Sequence, residues 1–313
     1  MLRLARRKRN LKKLNKILVV IDSFEAAQQV LAKAMVMARH FGACLELFLC
    51  DSEHAYVLKH AYDQEGIERA RQHCLANARS YLESLRRSVL ADDVLISLDV
   101  ACDSPLYESV VNKVLRSSPD LVIRSVTREQ TQGQFGLGTN DWELARTCPA
   151  PLMLTHGRPW CAQPSFAAAV DVSENELAGT VRLVMRAAEF LARGCHAELD
   201  AFYSEFPDSD GANRASRVTA LRDVGTEFGV AAERLHMLSG VPETTLAAFA
   251  AARRYDVVVL GALTHRRAFT TLVGTLTSKL VDALDCDVVL VRAASTVATV
   301  RLELMSGHLH SHH

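Results

Sequence analysis

Two tandem open, mostly parallel five-stranded α/β sheets with helices on both faces are the fold that the sequence predicts. Three observations carry that prediction. Short runs rich in valine and leucine alternate with longer stretches of helical period, the pattern of a parallel sheet covered on both sides. The whole pattern is written twice, at a near-constant offset. Polar or glycine residues stand where apolar runs end, at Asp22, Asp171 and Gly261. In such sheets ligands lie beyond the carboxyl ends of the strands, near the point where strand order reverses.

The elements follow in order. Ile17-Leu-Val-Val-Ile-Asp22-Ser23 returns as Phe166-Ala-Ala-Ala-Val-Asp171-Val-Ser173, each a buried strand. Helical stretches follow over 24–41 and 174–193, ending in His40-Phe-Gly42 and Arg193-Gly194. A second strand comes next in each half, Cys44–Cys50 and His196–Tyr203. Ser104-Pro105 and Val241-Pro242 each open a helix, where proline is tolerated in the first turn. Pro119-Asp120-Leu-Val-Ile matches Tyr255-Asp256-Val-Val-Val, and Cys148-Pro-Ala-Pro-Leu-Met-Leu matches Cys286-Asp-Val-Val-Leu-Val. The offsets Pro105 to Pro242, Asp120 to Asp256 and Cys148 to Cys286 are 137, 136 and 138. The final strand, Asp287–Val291, reads as an edge that pairs across a two-fold.

Length and charge bound the organisation. The 313 residues suffice for two domains. The expected units are a basic, disordered leader over 1–16, a first domain over 17–155, a linker over 156–164, a second domain over 165–293 and a His-rich tail over 294–313. Two like domains on a short linker are expected to pack as an intramolecular pseudo-dimer, with any higher oligomer left open. The leader holds eight Lys/Arg and no acid, so with a formal net charge of zero the remainder carries −8. A mildly acidic body argues against specific nucleic-acid binding. No apolar run approaches the ~20 residues that span a bilayer, and no apolar segment follows the basic start as in a signal peptide. Eight cysteines without a CxxC pair read as small buried hydrophobes in a reducing compartment, so a cytoplasmic location is expected.

The most informative stretch is Tyr255-Asp-Val-Val-Val-Leu-Gly261-Ala-Leu-Thr264, then nine residues, then Gly274-Thr275-Leu276-Thr277. Strand, glycine loop and helix N-terminus in that order make an anion site, because backbone N–H groups and the helix dipole face the ligand. His265, Arg266 and Arg267 add positive charge.

These residues resemble the universal stress proteins, of the tandem-domain type, over residues 17–293. Two tandem copies with a first strand ending in Val-Asp, and a final Gly-x2-(Gly)-x9-Gly-(Ser/Thr), carry the resemblance. So do Thr139-Asn-Asp141-Trp142 before Cys148-Pro-Ala-Pro151, and Pro159-Trp160 beyond. The resemblance implies the universal stress protein fold, akin to the adenine-nucleotide α-hydrolases. It also implies a site for ATP or another adenine nucleotide where the glycine motif is kept. In the second half this site maps to Asp171, Leu260, Gly261, Thr264, His265, Gly274, Thr275, Leu276 and Thr277.

Thr264 stands where the family has glycine. A β-branched residue there costs on the order of 1–3 kcal/mol if the loop needs positive φ. On ordinary backbone its hydroxyl can instead donate to a phosphate. In the first half Ser125 replaces Gly261 and only Gly138-Thr139 matches Gly274-Thr275. Asp141 would place a negative charge against phosphate. No nucleotide is expected in 17–155, where Asp141-Trp142 instead reads as capping and anchoring a helix.

Other chemistry lacks its signature. There is no Gly-x-Ser-x-Gly elbow, no Gly-x4-Gly-Lys-(Ser/Thr) loop and no Gly-x-Gly-x-x-Gly after the first strand. Asp51, Glu53, His54, His60 and Asp63 gather past the second strand and could ligate zinc. A polar loop leading into a surface helix is the commoner origin of such a cluster, and no catalytic or metal residue is assigned. Tyr56, Val57, Leu58 and Tyr62 could line a cleft for an apolar ligand. The tail histidines His308, His310, His312 and His313 could bind metal adventitiously. The leading functional expectation is ligand sensing or scaffolding in a stress response, with ATP or no cofactor. The alternatives are a slow ATPase in the second half, or a module binding an apolar ligand or protein partner.

Overall fold

The computed structural model describes residues 13–21, 24–59, 64–89, 92–126, 128–131, 134–161, 163–173, 178–206, 211–262 and 275–292. The first half contains β1 (Lys16–Ile21), α1 (Phe24–Phe41), β2 (Cys44–Cys50), α2 (Ser52–Lys59), α3 (Gln64–Arg87), β3 (Ile96–Ala101), α4 (Leu106–Ser117) and β4 (Leu121–Ser125). It continues through β5 (Arg128–Thr131), β6 (Gln134–Leu137), α5 (Thr139–Thr147) and β7 (Leu152–Thr155). The second half contains β8 (Phe166–Ala169), α6 (Ala178–Gly194), β9 (Leu199–Glu205), α7 (Gly211–Glu227) and β10 (Leu235–Ser239). After them come α8 (Pro242–Arg253), β11 (Val257–Gly261), α9 (Thr275–Ala283) and β12 (Asp287–Val291).

Burial on both faces explains the apolar strands. Along β1, Ile17, Val19 and Ile21 enter the core under α1, while Leu18 and Val20 enter the opposite core under α4 and α5. A strand sandwiched in this way has no solvent side on which to place polar residues. Each of the two cores runs through both halves of the chain.

The sheet differs from the expectation of two separate five-stranded sheets. A single ten-stranded sheet forms, in the order β10-β9-β8-β11-β12-β7-β4-β1-β2-β3. Each half is parallel, and the halves join through the one antiparallel pair in this sheet, β12 with β7, where Val289 faces Met153. The cause is the edge that each five-stranded half would otherwise expose: two fully buried last strands satisfy each other's backbone groups. The expected pairing of Asp287–Val291 across a two-fold is thus what joins the halves.

Register also corrects the repeat. Leu121–Ser125 and Val257–Gly261, like Thr139–Thr147 and Thr275–Ala283, lie 136 residues apart. The same offset relates Thr155 to Val291, the last residues of β7 and β12. The match of Cys148 to Cys286 is therefore two residues out of register. Similar Cys-x-x-x-Leu spacing misled it. The two-stranded antiparallel sheet β5–β6 was also not expected, because its polar, glycine-rich sequence has no apolar alternation.

Helices close the seam. The α1 and α6 ends meet through Phe41 and Phe190, with ring centroids 5.1 Å apart. A Cβ on Gly194 would lie 2.1 Å from Phe41 Cζ, so any larger residue there would force the Phe41 ring to move. On the other face the Leu137 N–H donates to Asp282 Oδ1 at 3.0 Å. The linker is anchored as well. Asp287, 2% exposed, accepts from Lys33 Nζ at 2.8 Å, from the His156 N–H at 2.7 Å and from Trp160 Nε1 at 2.7 Å.

Near the middle of β2 and β3, Lys113 Nζ lies 2.6 Å from both Glu46 and Asp99, and Lys16 lies 2.8 Å from Glu46. Burial opposes ionisation of Glu46, but hydrogen bonds from Lys113 and then Lys16 outweigh it and hold the carboxyl below its ordinary range. A depressed carboxylate stabilises the fold above its unfolded pKa, about 4.3, and that contribution is lost as pH falls through the folded value. Glu46→Gln is therefore expected to lose about 1–3 kcal/mol at pH 7. The difference from the parent should shrink below about pH 4, as read by urea unfolding at both pH values.

Candidate functional site

The order of strands reverses between β8 and β11: the chain leaves β8 toward β9 on one side and β11 toward β12 on the other. Their following helices lie on opposite faces, α6 in one core and α9 in the other. A crevice therefore opens beyond the carboxyl ends of β8 and β11.

Four of the expected residues meet there. Asp171 lies just past β8, and its Oδ1 accepts the Ser173 N–H at 2.9 Å, an Asx turn that fixes the side chain. Leu260, 3% exposed, and Gly261 end β11. Thr277, 4% exposed, donates from Oγ1 to the Gly261 carbonyl at 3.0 Å and ties the first turn of α9 to that strand. Together with Val170, Thr180, Val184, Leu246 and Leu280 these residues line an apolar recess of about 50 Å³. Tyr203 of β9 stands close to Asp171; burial and then the Asp171 carboxylate push its phenol up.

Thr275 and Leu276 open α9. Thr264, His265 and Gly274 lie outside the described residues, as do the neighbouring Arg266 and Arg267. The basic leader up to residue 12, Asp22, His60, Tyr62, Asp63 and the His-rich tail also lie outside them. Among the described residues the leader expectation meets Leu14, which is 2% exposed in the core ahead of β1.

The equivalent position in the first half is built differently. At the offset of 136, Leu260 corresponds to Arg124 and Thr277 to Asp141. Arg124 Nε lies 2.7 Å from Asp141 Oδ1, with side chains 4% and 1% exposed. Asp141 therefore does not face a phosphate, and it does not cap its helix: the N-cap of α5 is Gly138, without a side-chain cap. Arg124 on the neighbouring strand draws the carboxylate inward instead, because a buried carboxylate requires a partner. Trp142 packs against the core, as anchoring requires. Arg124 was missed in the sequence; its signal is a charged residue inside an apolar strand.

The other expected groups scatter. Tyr56 and Val57, 60% and 66% exposed, border a separate cleft of about 390 Å³ with Pro105 and Asn140. Leu58 packs instead against Cys74 and Cys102. All eight cysteines are free thiols; six are buried, Cys44 is half-buried and Cys161 is exposed. Among the described residues no helix is long and apolar enough to cross a membrane.

The comparisons with known proteins agree with this architecture. The Universal stress protein family pattern matches residues 13–156 and again 168–292. Universal stress protein E of Escherichia coli strain K12 is 21% identical over 305 residues, covering 92% of this chain and 96% of that relative. Among solved structures, a chain from Pseudomonas aeruginosa UCBPP-PA14 described as a universal stress protein shares the fold with a TM-score of 0.74. It is 22% identical, with 95% of this chain and 99% of that one covered. A universal stress protein from Archaeoglobus fulgidus DSM 4304 superposes with a TM-score of 0.64 at 12% identity, covering 88% of this chain and 98% of its own. Two family domains, matched in tandem over most of the sequence and joined in one sheet, settle the assignment: this chain belongs to the universal stress protein family.

Proposed function

We propose that the chain is a ligand-sensing or scaffolding universal stress protein that takes an adenine nucleotide in its second domain only. The observation that supports a second-domain site is the convergence of Asp171, Leu260, Gly261 and Thr277 on one recess at the point where strand order reverses. The recess accepts part of a nucleoside against its apolar floor. The phosphates fall to Gly274, Thr264 and His265 on the sequence argument. In the first domain the Arg124–Asp141 pair fills the matching position, and Ser125 replaces the strand-end glycine.

The test is calorimetric titration of the full chain with ATP. One nucleotide per chain is expected, with affinity lowered at least about 10-fold by Asp171→Ala, a half-exposed position whose loss spares the core. Two nucleotides per chain, no binding, or indifference to Asp171→Ala would overturn the reading. Turnover of ATP at about 1–100 s⁻¹ would instead make the protein an enzyme.

A further inference from the structure

Three potential metal ligands, two of them neighbours in sequence and the third from another helix, meet at the carboxyl end of β2. Asp51, His54 and Cys74 each offer one ligand atom, all within 4.8 Å of one another. Asp51 Oδ2 sits 2.8 Å from His54 Nδ1 and 3.2 Å from Cys74 Sγ. Cys102 packs beside Cys74 in a small buried cluster. The donors come from three places: the end of β2, the first turn of α2 and the body of α3.

We propose that Asp51, His54 and Cys74 form a divalent-cation site, with zinc the best match to a donor set of one carboxylate, one imidazole and one thiol, solvent taking the fourth position. In a tetrahedral zinc site, bonds of about 2.0–2.3 Å place ligand atoms about 3.3–3.8 Å apart. The Asp51–His54 and Asp51–Cys74 separations of 2.8 and 3.2 Å expand slightly to reach that spacing, and the His54 and Cys74 ligand atoms lie within 4.8 Å of each other.

Helix capping explains only part of the arrangement. Asp51 Oδ1 accepts the His54 N–H at 3.1 Å and caps α2. Capping leaves unexplained why the other oxygen gathers an imidazole and a thiol. The second half shows the alternative. By sheet register the counterpart of Asp51 is Glu205, which is buried and neutralised permanently by Arg214 and Arg217. The first half keeps its matching carboxylate beside donors that a metal can claim. His54 is 74% exposed, which leaves an entry from solvent.

Binding releases one proton as the Cys74 thiol becomes a thiolate ligand, and His54 coordinates through Nδ1 with its proton on Nε2. Metal affinity should therefore rise with pH. The bound cation would tie α2 and α3 to the tip of β2.

The test is titration of the reduced full chain with Co²⁺, read by the thiolate-to-cobalt charge-transfer band, which the tail histidines cannot produce. One equivalent should generate the band, and Zn²⁺ should displace it. Cys74→Ser should abolish it. Asp51→Asn keeps the helix cap and His54→Ala alters an exposed group, so both should fold; each should weaken binding at least about 10-fold. Absence of the band, or a band of equal strength in Cys74→Ser and His54→Ala, would overturn the proposal and assign cobalt binding to the tail or to other thiols.

Discussion

Replacing Asp287 by alanine is expected to remove about 3–5 kcal/mol of stability, the largest loss at any single polar position of the seam. The carboxylate receives Lys33 from α1, the His156 N–H and the Trp160 indole from the linker, and itself begins β12. Its removal strands the Lys33 ammonium, whose side chain is 4% exposed. It also leaves two buried donors without an acceptor. The double variant Lys33→Met/Asp287→Ala should lose less than the sum of the single changes, because the uncompensated charge disappears with the lysine. Denaturant unfolding of the four species measures this directly. A single-variant loss under about 1 kcal/mol would show that the seam is held by β7–β12 pairing and helix packing alone.

Arg124→Leu is expected to cost a similar amount, about 3–5 kcal/mol, although leucine is what the second half carries at the same position. Asp141, 1% exposed, would be left in the core without the guanidinium. Adding Asp141→Thr recreates the Leu260 and Thr277 arrangement of the second half and should recover the stability to within about 1–2 kcal/mol of the parent. Replacing both members of a buried pair by groups of suitable size is commonly close to neutral. If the single variant matches the parent, the pair does not close the first-domain site. In that case second-domain selectivity needs another cause.

Legibility followed the environment of each residue. β1, β4, β11 and β12 were readable because both of their faces are buried, which forces continuous apolar sequence. β10 escaped notice: as an edge strand it is half-buried to exposed along its length, so its sequence lacks that constraint. Asp171 and Gly261 were readable because the repeat placed them at strand ends. Asp141 was noticed, but its role was misjudged. The sequence pattern points its charge at phosphate or at a helix cap, whereas Arg124, 17 residues earlier, pairs with it in the core.

The same division holds for the whole molecule. The sequence by itself determined the family, the tandem α/β repeat and the strand-end positions of Asp171 and Gly261, because periodicity and strand-end motifs are local properties of the chain. Tertiary structure alone decided that the halves share one sheet through β7 and β12, that Asp287 fastens linker to seam, and that Cys74 stands with Asp51 and His54. Those outcomes depend on contacts between residues from about 20 to more than 250 positions apart. No local pattern records such contacts, since pairing partners are selected by burial and charge in the folded chain.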